Sequence, residues 1–402
     1  MKLSLSLSQA RRLVLHNQGL LTAQAFGKGK MAALAAIERL GYVQIDTISV
    51  VERAHHHVFQ TRVQDYQQAH LDALLGEDRR VFEYWSHAAA YLPMRDFRYS
   101  LPRMQAIAAG DRHWHERPND KLLNRVLDRI RAEGPLRSKD FAPPPDHNAG
   151  PWWNWKPTKI ALEHLFQEGR LMVARREKFQ KVYDLPERVL PPDVDTSAPT
   201  LADTARHLVL RTLDARGFAD KKEIGYLRKQ VKPQLDAAIR ELVESGEILP
   251  IAIEGIEKYE AYARSGALEN LPARIGKRQM HLLSPFDNLV IQREPLHRLF
   301  GFDYQIECYV PQPKRQYGYF CLPILWGDRF IGRLDPKADR KAKVFRVLNL
   351  VFEPDFGEFD AALPALAEKV RQFAAYNGCE RGEIGQVVPA GLKEALVRHF
   401  SG

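Results

Sequence analysis

The sequence predicts an α+β protein: tandem winged-helix domains followed by a C-terminal β-rich domain with a closing helix. Three observations carry this. A pattern of three helices and a two-stranded hairpin occurs twice in the middle of the chain. From about residue 280 the helical spacing gives way to strand-like runs separated by Gly, Asp and Pro. Near the N-terminus a helix pair feeds a short alternating segment. The expected domains are 1–118, a first winged-helix-like domain; 119–192 and 199–275, a second and a third winged helix; and 280–402, the β domain.

Residues 6–21 read as a helix, with Ser8 as candidate N-cap and Ala10, Leu13, Leu15 and Leu20 on its apolar side. A second helix covers 31–40, and Gly41 ends it with a left-handed cap. The next stretch alternates, Val43 and Ile45 on one side, Gln44 and Asp46 on the other. An amide beside a carboxylate suits hydrolysis: the carboxylate takes a proton from water or stabilises a developing cation, and the amide orients the water. A short exposed strand with ordinary polar residues fits the same spacing. His55, His56 and His57 follow. Consecutive side chains diverge on a strand and on a helix, so no metal site is expected from them; they read as a polar contact or a solvated turn. Residues 65–80 read as helical, 81–85 and 88–92 as two strands, and 95–109 as a helix. Tyr84 and Trp85 fit either the core or a stacking platform for bases.

In the second unit Leu122, Val126, Leu127 and Ile130 form a helical stripe that Gly134-Pro135 stops. A short helix opens at 137–141, a proline-rich loop follows at 143–145, and a third helix starts at Lys156 and ends at Gly169. The hairpin is 171–176 with 180–185. The third helix of such a unit usually enters the major groove, where Lys156 and Lys159 would meet phosphates. Trp152, Trp153 and Trp155 read as packing residues. The pattern recurs with helices at 207–215, 221–229 and 233–243 and a hairpin from 247, after a linker at 191–199. Beyond it, 304–310, 317–325, 329–334 and 344–352 are strand-like, and an amphipathic helix at 359–376 closes the chain. Asp287 reads as a helix cap. The loop 311–319 holds Lys314, Arg315, Tyr317 and Tyr319, cations for phosphates and rings for bases; a basic loop resting on an acidic neighbour is the alternative.

The 402 residues are 45% hydrophobic and suffice for a sizeable core, and the net charge of +9 favours a polyanionic partner such as nucleic acid. No apolar run is long enough to span a bilayer, and the N-terminus does not read as a secretory signal. Cys308, Cys321 and Cys379 show no metal-ligand spacing. Phosphate-loop, dinucleotide, Cys-x-x-Cys and Gly-x-Ser-x-Gly motifs are absent, so no cofactor and no metal are expected. Asp335, Asp339, Asp355 and Asp360 are too scattered to suggest a metal-dependent nuclease. A cytoplasmic, nucleoid-associated monomer is the expectation.

Residues 40–48, Leu-Gly-Tyr-Val-Gln-Ile-Asp-Thr-Ile, resemble the catalytic signature of the YcaQ (AlkX) branch of the AlkZ-type winged-helix DNA glycosylases: Gln, an apolar residue, then Gln or Asp. The Asp form marks that branch. Further similar blocks stand in the same order at 82–87, 153–159, 283–287 and 313–320, so the resemblance covers nearly the whole chain. It implies a monofunctional DNA glycosylase of base excision repair that hydrolyses the N-glycosidic bond of N7-alkylguanine and unhooks interstrand crosslinks. Asp46 would be the catalytic carboxylate and Gln44 the residue that holds the water. Double-stranded DNA would be the partner, with Lys156, Lys159, Lys314, Arg315, Tyr317 and Tyr319 touching it. A non-enzymatic winged-helix DNA-binding transcriptional regulator also explains the repeats and the charge, but leaves Gln44 and Asp46 without a role.

Overall fold

The computed structural model describes residues 3–401 apart from 24, 111–116, 142–156, 229–230 and 270. The chain divides into two compact units, one formed by Met1–Tyr66 with Ala205–Gly402 and the other by Gln67–Thr204.

The first unit opens with a strand, Leu3–Leu5, and a helix, Leu7–Asn17. Its cap is Ser6 rather than the expected Ser8. Ser6 Oγ accepts the Gln9 amide at 3.2 Å and Gln9 Oε1 accepts the Ser6 amide at 2.8 Å, a closed box that fixes the first turn. The helix Gly29–Leu40 ends as expected at Gly41, whose φ is +75° and whose N–H donates to the Ile37 carbonyl. The strand that follows is only Val43–Gln44. Its expected continuation is replaced by a turn, because Asp46 Oδ1 accepts the Ile48 amide at 2.7 Å.

The three histidines do not lie in a solvated turn. They belong to the helix Ala54–Arg62 and are 1, 8 and 0% exposed in order. Successive residues of a helix point about 100° apart, so each ring meets different neighbours. His57 Nε2–H donates to the Leu282 carbonyl at 2.8 Å and its ring lies against Phe373, whereas His56 Nδ1 pairs with the Tyr66 hydroxyl at 2.8 Å. Burial pushes the His57 imidazole down to about 4, which keeps it neutral in spite of its carbonyl partner.

Two sheets build this unit. In the smaller, Leu3–Leu5 runs parallel to Ile248–Ile253, which forms an antiparallel hairpin with Ile256–Arg264, itself paired to Phe218–Asp220. Helices Leu201–Arg216 (from Ala205 onward), Lys221–Ile224 and Lys232–Glu244 bury Val209, Leu213, Leu235 and Leu242 with Ile248 of the hairpin. The larger sheet has the order Met280–Leu282, Leu322–Trp326, Arg329–Asp339, Val344–Phe352, Arg381–Val388. Neighbours are antiparallel except the last pair, which is parallel and is joined through the helix Phe359–Tyr376. Side chains of the second strand alternate between two cores. Leu322, Ile324 and Trp326 pack with Leu366, Val370 and Phe373 of the crossover helix, while Leu325 packs with Leu13, Phe302 and Phe330.

Two expectations for this region are corrected. Residues 304–310 form no strand, and the stretch expected at 317–325 pairs only from Leu322. The helix Phe359–Tyr376 does not close the chain: the strand Arg381–Val388 and the helix Lys393–Ser401 follow it. That strand pairs on one side only and is largely exposed, so it carries few apolar residues to reveal it.

Arg62 and Asp287 join the N-terminal segment to the C-terminal one. Nη1 reaches Oδ2 at 2.6 Å and Nη2 reaches Oδ1 at 2.8 Å, with both side chains fully buried. Arg62 Nε also donates to the Gln18 carbonyl at 2.7 Å. Asp287 is not the expected helix cap: it accepts the Leu289 amide within a turn, and the next helix, Arg293–Phe300, starts on Gln292.

In the second unit Val81–Trp85 and Ala89–Pro93 form the expected hairpin, with Val81 opposite Pro93. Residues 95–109 split into a 3₁₀ segment, Met94–Ser100, and the helix Leu101–Ala108. The helix Asp120–Glu133 starts on Asn119, which accepts the Leu122 amide at 2.9 Å. A strand, Leu136–Arg137, a one-turn segment, Ser138–Asp140, the helix Pro157–Gln167 and the hairpin Met172–Glu177 with Gln180–Asp184 complete it. Tyr84 is a core residue, its hydroxyl donating to the Gln167 carbonyl at 2.6 Å. The adjacent Glu83 is buried and gripped by Arg176 through two bonds of 2.8 Å. Lys156, the three expected packing tryptophans and the proline-rich loop lie outside the described residues.

Removing one member of a buried, bidentate ion pair strands the other charge. Asp287→Ala should lower the unfolding free energy by about 3–5 kcal/mol in urea titrations. The paired replacement Arg62→Met with Asp287→Leu should cost far less than the two single changes added together.

Candidate active site

Asp46 is mounted between two ties to the C-terminal part of its own unit. Before it, the Tyr42 carbonyl accepts from Asn288 Nδ2 at 2.9 Å and the Gly41 carbonyl from Arg211 at 3.4 Å. After it, the Val50 carbonyl accepts the Ala338 amide at 2.8 Å and the Ser49 carbonyl accepts from Arg340 at 3.1 Å. Val51 and Ala54 then enter the core of the larger sheet. The turn bearing Asp46 is thus fixed at both ends.

The Asp46 carboxyl is half-buried. Burial raises it above the ordinary aspartate range, and the amides of Ile48 and Thr47 partly offset the rise. A carboxylate held this way is a stronger base than one in open water. Gln44, two residues earlier, is 8% exposed and ends the short strand.

The charge of this carboxylate reaches a loop of the same unit. Burial first, and then the Asp46 charge, raise the Cys308 thiol; burial, Cys308 and Asp46 raise the Tyr309 hydroxyl. The loop owes its shape to two acidic side chains. Glu307 accepts the amides of Gln316, Tyr317 and Gly318 at 2.7, 2.8 and 3.0 Å. Asp335 accepts those of Tyr319 and Phe320 at 3.1 and 3.0 Å. Every backbone donor from 316 to 320 is therefore satisfied by a carboxylate, which is why this stretch needs no strand partner. Burial opposes ionisation of Glu307, but the three amides together outweigh it and hold its carboxyl below the usual range. Gly318 is required for space, since a Cβ there would stand 2.3 Å from the Asp335 carboxyl carbon.

The expected site residues fall into groups. Arg315 donates from Nε to the Val310 carbonyl at 2.9 Å and lays its guanidinium over the Tyr319 ring, 4.9 Å from the centroid. Tyr319 is half-buried. Tyr317 is turned toward the core, with the Arg333 guanidinium 4.2 Å from its ring centroid. Lys314 is exposed at the end of the 3₁₀ turn Gln312–Lys314. Asp46, Arg315 and Tyr319 are thus brought into one neighbourhood. Lys159 is exposed near the start of the helix Pro157–Gln167 in the other unit. Sequence reasoning missed Glu307, Cys308 and Tyr309 by reading 304–310 as a strand. The signal against a strand was there: Pro311 and Pro313 follow at once, and neither can donate to a ladder.

Among the described residues no group of three or more His, Cys, Asp or Glu side chains is placed to hold a metal ion. No described helix is long and apolar enough to cross a membrane.

The structure thus holds a half-buried carboxylate and a cationic, aromatic loop within one mixed α and β unit. Residues 37–376 match the family model described as DNA glycosylase AlkZ-like. The chain belongs to that family and is a DNA N-glycosylase. Its fold is similar to that of the Streptomyces sahachiroi DNA glycosylase AlkZ, with a TM-score of 0.63 at 14% identity, over 96% of this chain and 100% of the other. The regulator alternative gives way to the family.

A carboxyl whose folded pKa is raised destabilises the fold when it ionises; the penalty is absent below the unfolded pKa of about 3.9 and present above the folded one. Asp46→Asn should therefore melt no lower than wild type at neutral pH, and any gain should vanish in melts run below about pH 4. In Glu307→Ala the amides of 316–318 lose their acceptor. Their hydrogen exchange should accelerate on the order of tenfold or more, while that of the larger sheet is unchanged.

Proposed function

We propose that this glycosylase hydrolyses the N-glycosidic bond of N7-alkylguanine and unhooks interstrand crosslinks as a member of the YcaQ branch, working in base excision repair on double-stranded DNA. The observation that carries the reading is the Asp46 carboxylate, raised by burial, fixed at both ends of its turn and faced by a rigid loop bearing Arg315 and Tyr319. Its place at the third position of the Gln-Ile-Asp motif supports that branch.

The chemistry suits the residues. Alkylation at N7 makes guanine cationic and a good leaving group, so the bond to the sugar breaks with little protonation of the base. Positive charge then develops on the sugar as an oxocarbenium ion, as in glycoside hydrolysis. Asp46 stabilises that charge and takes the proton of the water that attacks the anomeric carbon, and Gln44 holds the water. No metal or cofactor enters. Lys156, Lys159, Lys314, Arg315 and Tyr319 grip the duplex; Tyr317, expected among them, instead braces the loop from its inner side under Arg333, and the chain acts as a monomer.

The test is single-turnover release from a duplex with one N7-methylguanine and from one with a nitrogen-mustard crosslink. Asp46→Asn should slow release by about 10²–10⁴-fold with DNA affinity retained. The wild-type rate should fall as pH drops through the raised Asp46 pKa, because the basic form is lost, and the residual rate of the variant should lack that limb. Borohydride should trap no covalent enzyme–DNA adduct. Equal release by wild type and Asp46→Asn would move the chemistry to another residue.

A further inference from the structure

We propose that Tyr309 stacks on a nucleobase at the lesion, holding the damaged nucleotide's surroundings in place over Asp46. This rests on the assignment of Asp46 as the catalytic carboxylate.

Tyr309 is 76% exposed, more than any of the other large apolar side chains found at the surface among the described residues, where Leu227 at 66% and Met31 at 63% come next. An isolated exposed leucine needs no explanation, but an aromatic ring presented to solvent beside a catalytic carboxylate does. Its backbone is not loose. The Val310 amide donates to the Glu307 carbonyl at 2.9 Å, closing a tight turn around Cys308 and Tyr309. Glu307 itself is anchored by the three amides of 316–318, and the Val310 carbonyl is held by Arg315. The turn is therefore rigid while the ring it carries is bare.

The surroundings choose the occupant. The Asp46 charge acts on the Tyr309 hydroxyl, the Val310 carbonyl beside it accepts from Arg315, and the Arg315 guanidinium lies over the Tyr319 ring. The residue after Tyr309 thus holds, through its carbonyl, a guanidinium stacked on a second ring, and an exposed ring followed by such a stack suits a flat aromatic ligand with an attached phosphate. A base of the substrate duplex has that chemistry, and no large rearrangement is needed to reach a ring that is already exposed. Stacking on an aromatic side chain tolerates any base, so Tyr309 contributes grip and position without reading sequence.

The experiment uses full-length protein and duplexes carrying one tetrahydrofuran abasic analogue, with 2-aminopurine placed on either flank or opposite it. Wild type should change the 2-aminopurine fluorescence strongly at one of these positions. Tyr309→Ala should lose that change and bind the damaged duplex about 10- to 100-fold more weakly. Tyr309→Phe and Tyr309→Trp should keep both, since the ring and not the hydroxyl is needed. Melting temperature should be unaffected in all three, because the ring is exposed, so a loss in Tyr309→Ala is not a loss of fold. Undiminished fluorescence change and affinity in Tyr309→Ala at every position would overturn the proposal, and would leave the glycosylase reading intact if wild type releases 7-methylguanine. Conversely, a Tyr309-dependent signal from a protein that releases no base would uphold the contact and sink the catalytic reading.

Discussion

The bidentate contact between Arg62 and Asp287 is the constraint on which the first unit depends. Two full charges sit out of water, and their mutual geometry has to be right for either to be tolerated there. Arg62 ends the helix that follows the Asp46 turn, and Asp287 lies just after the first strand of the larger sheet. Arg62 also takes the Gln18 carbonyl, so the end of the first helix is drawn into the same knot. A chain that had paired its N-terminal helices with the wrong part of the C-terminal sheet would leave both charges unpaired. The pair therefore selects one register between segments 225 residues apart and, through it, the position of Asp46.

Carboxylates recur in this unit as partners of backbone amides. Asp46 accepts the Ile48 amide, Asp287 that of Leu289, Glu307 three and Asp335 two. Each replaces a turn of ladder hydrogen bonding, so irregular backbone is held as firmly as a strand while its side chains stay available. The opposing effects of burial and amide donation also sort these groups by pKa. Glu307, with three amide donors, is lowered, whereas in Asp46 and Asp335, with two each, burial wins and they are raised. One kind of interaction thus yields structural acids that stay ionised and a base of enhanced strength.

Much of this was legible in the sequence. The helix ending at Gly41, the stripe of Val126, Leu127 and Ile130 (which Leu123 and not the expected Leu122 completes), the hairpins of both units and the long strand Val344–Phe352 followed from periodicity and turn residues. The Gln-Ile-Asp segment drew attention for its chemistry and its resemblance. Other features were hidden for identifiable reasons. The histidines looked solvated because three polar residues in a row signal a turn, and only tertiary packing supplies the carbonyl and the rings that let them be buried. Residues 304–310 alternate like a strand, yet Glu307 finds amides nine to eleven residues ahead and folds the stretch into a turn. The edge strand Arg381–Val388 has too few apolar side chains to announce itself.

By itself the sequence determined the element types wherever spacing and caps are local, and it determined which carboxylate and amide stand two residues apart. Local signals suffice for that because helix periodicity, glycine caps and turn residues act within a few residues of one another. Only the tertiary structure decided how strong a base Asp46 is and what faces it. Burial depends on segments far away in the chain, and no local pattern shows that Ser49 and Val50 will be tied to Arg340 and Ala338 at the end of the strand Arg329–Asp339, or that Tyr309 will stand bare within reach of the Asp46 charge. Desolvation and proximity are properties of the packed chain, and they are what turn an ordinary aspartate into a candidate catalyst.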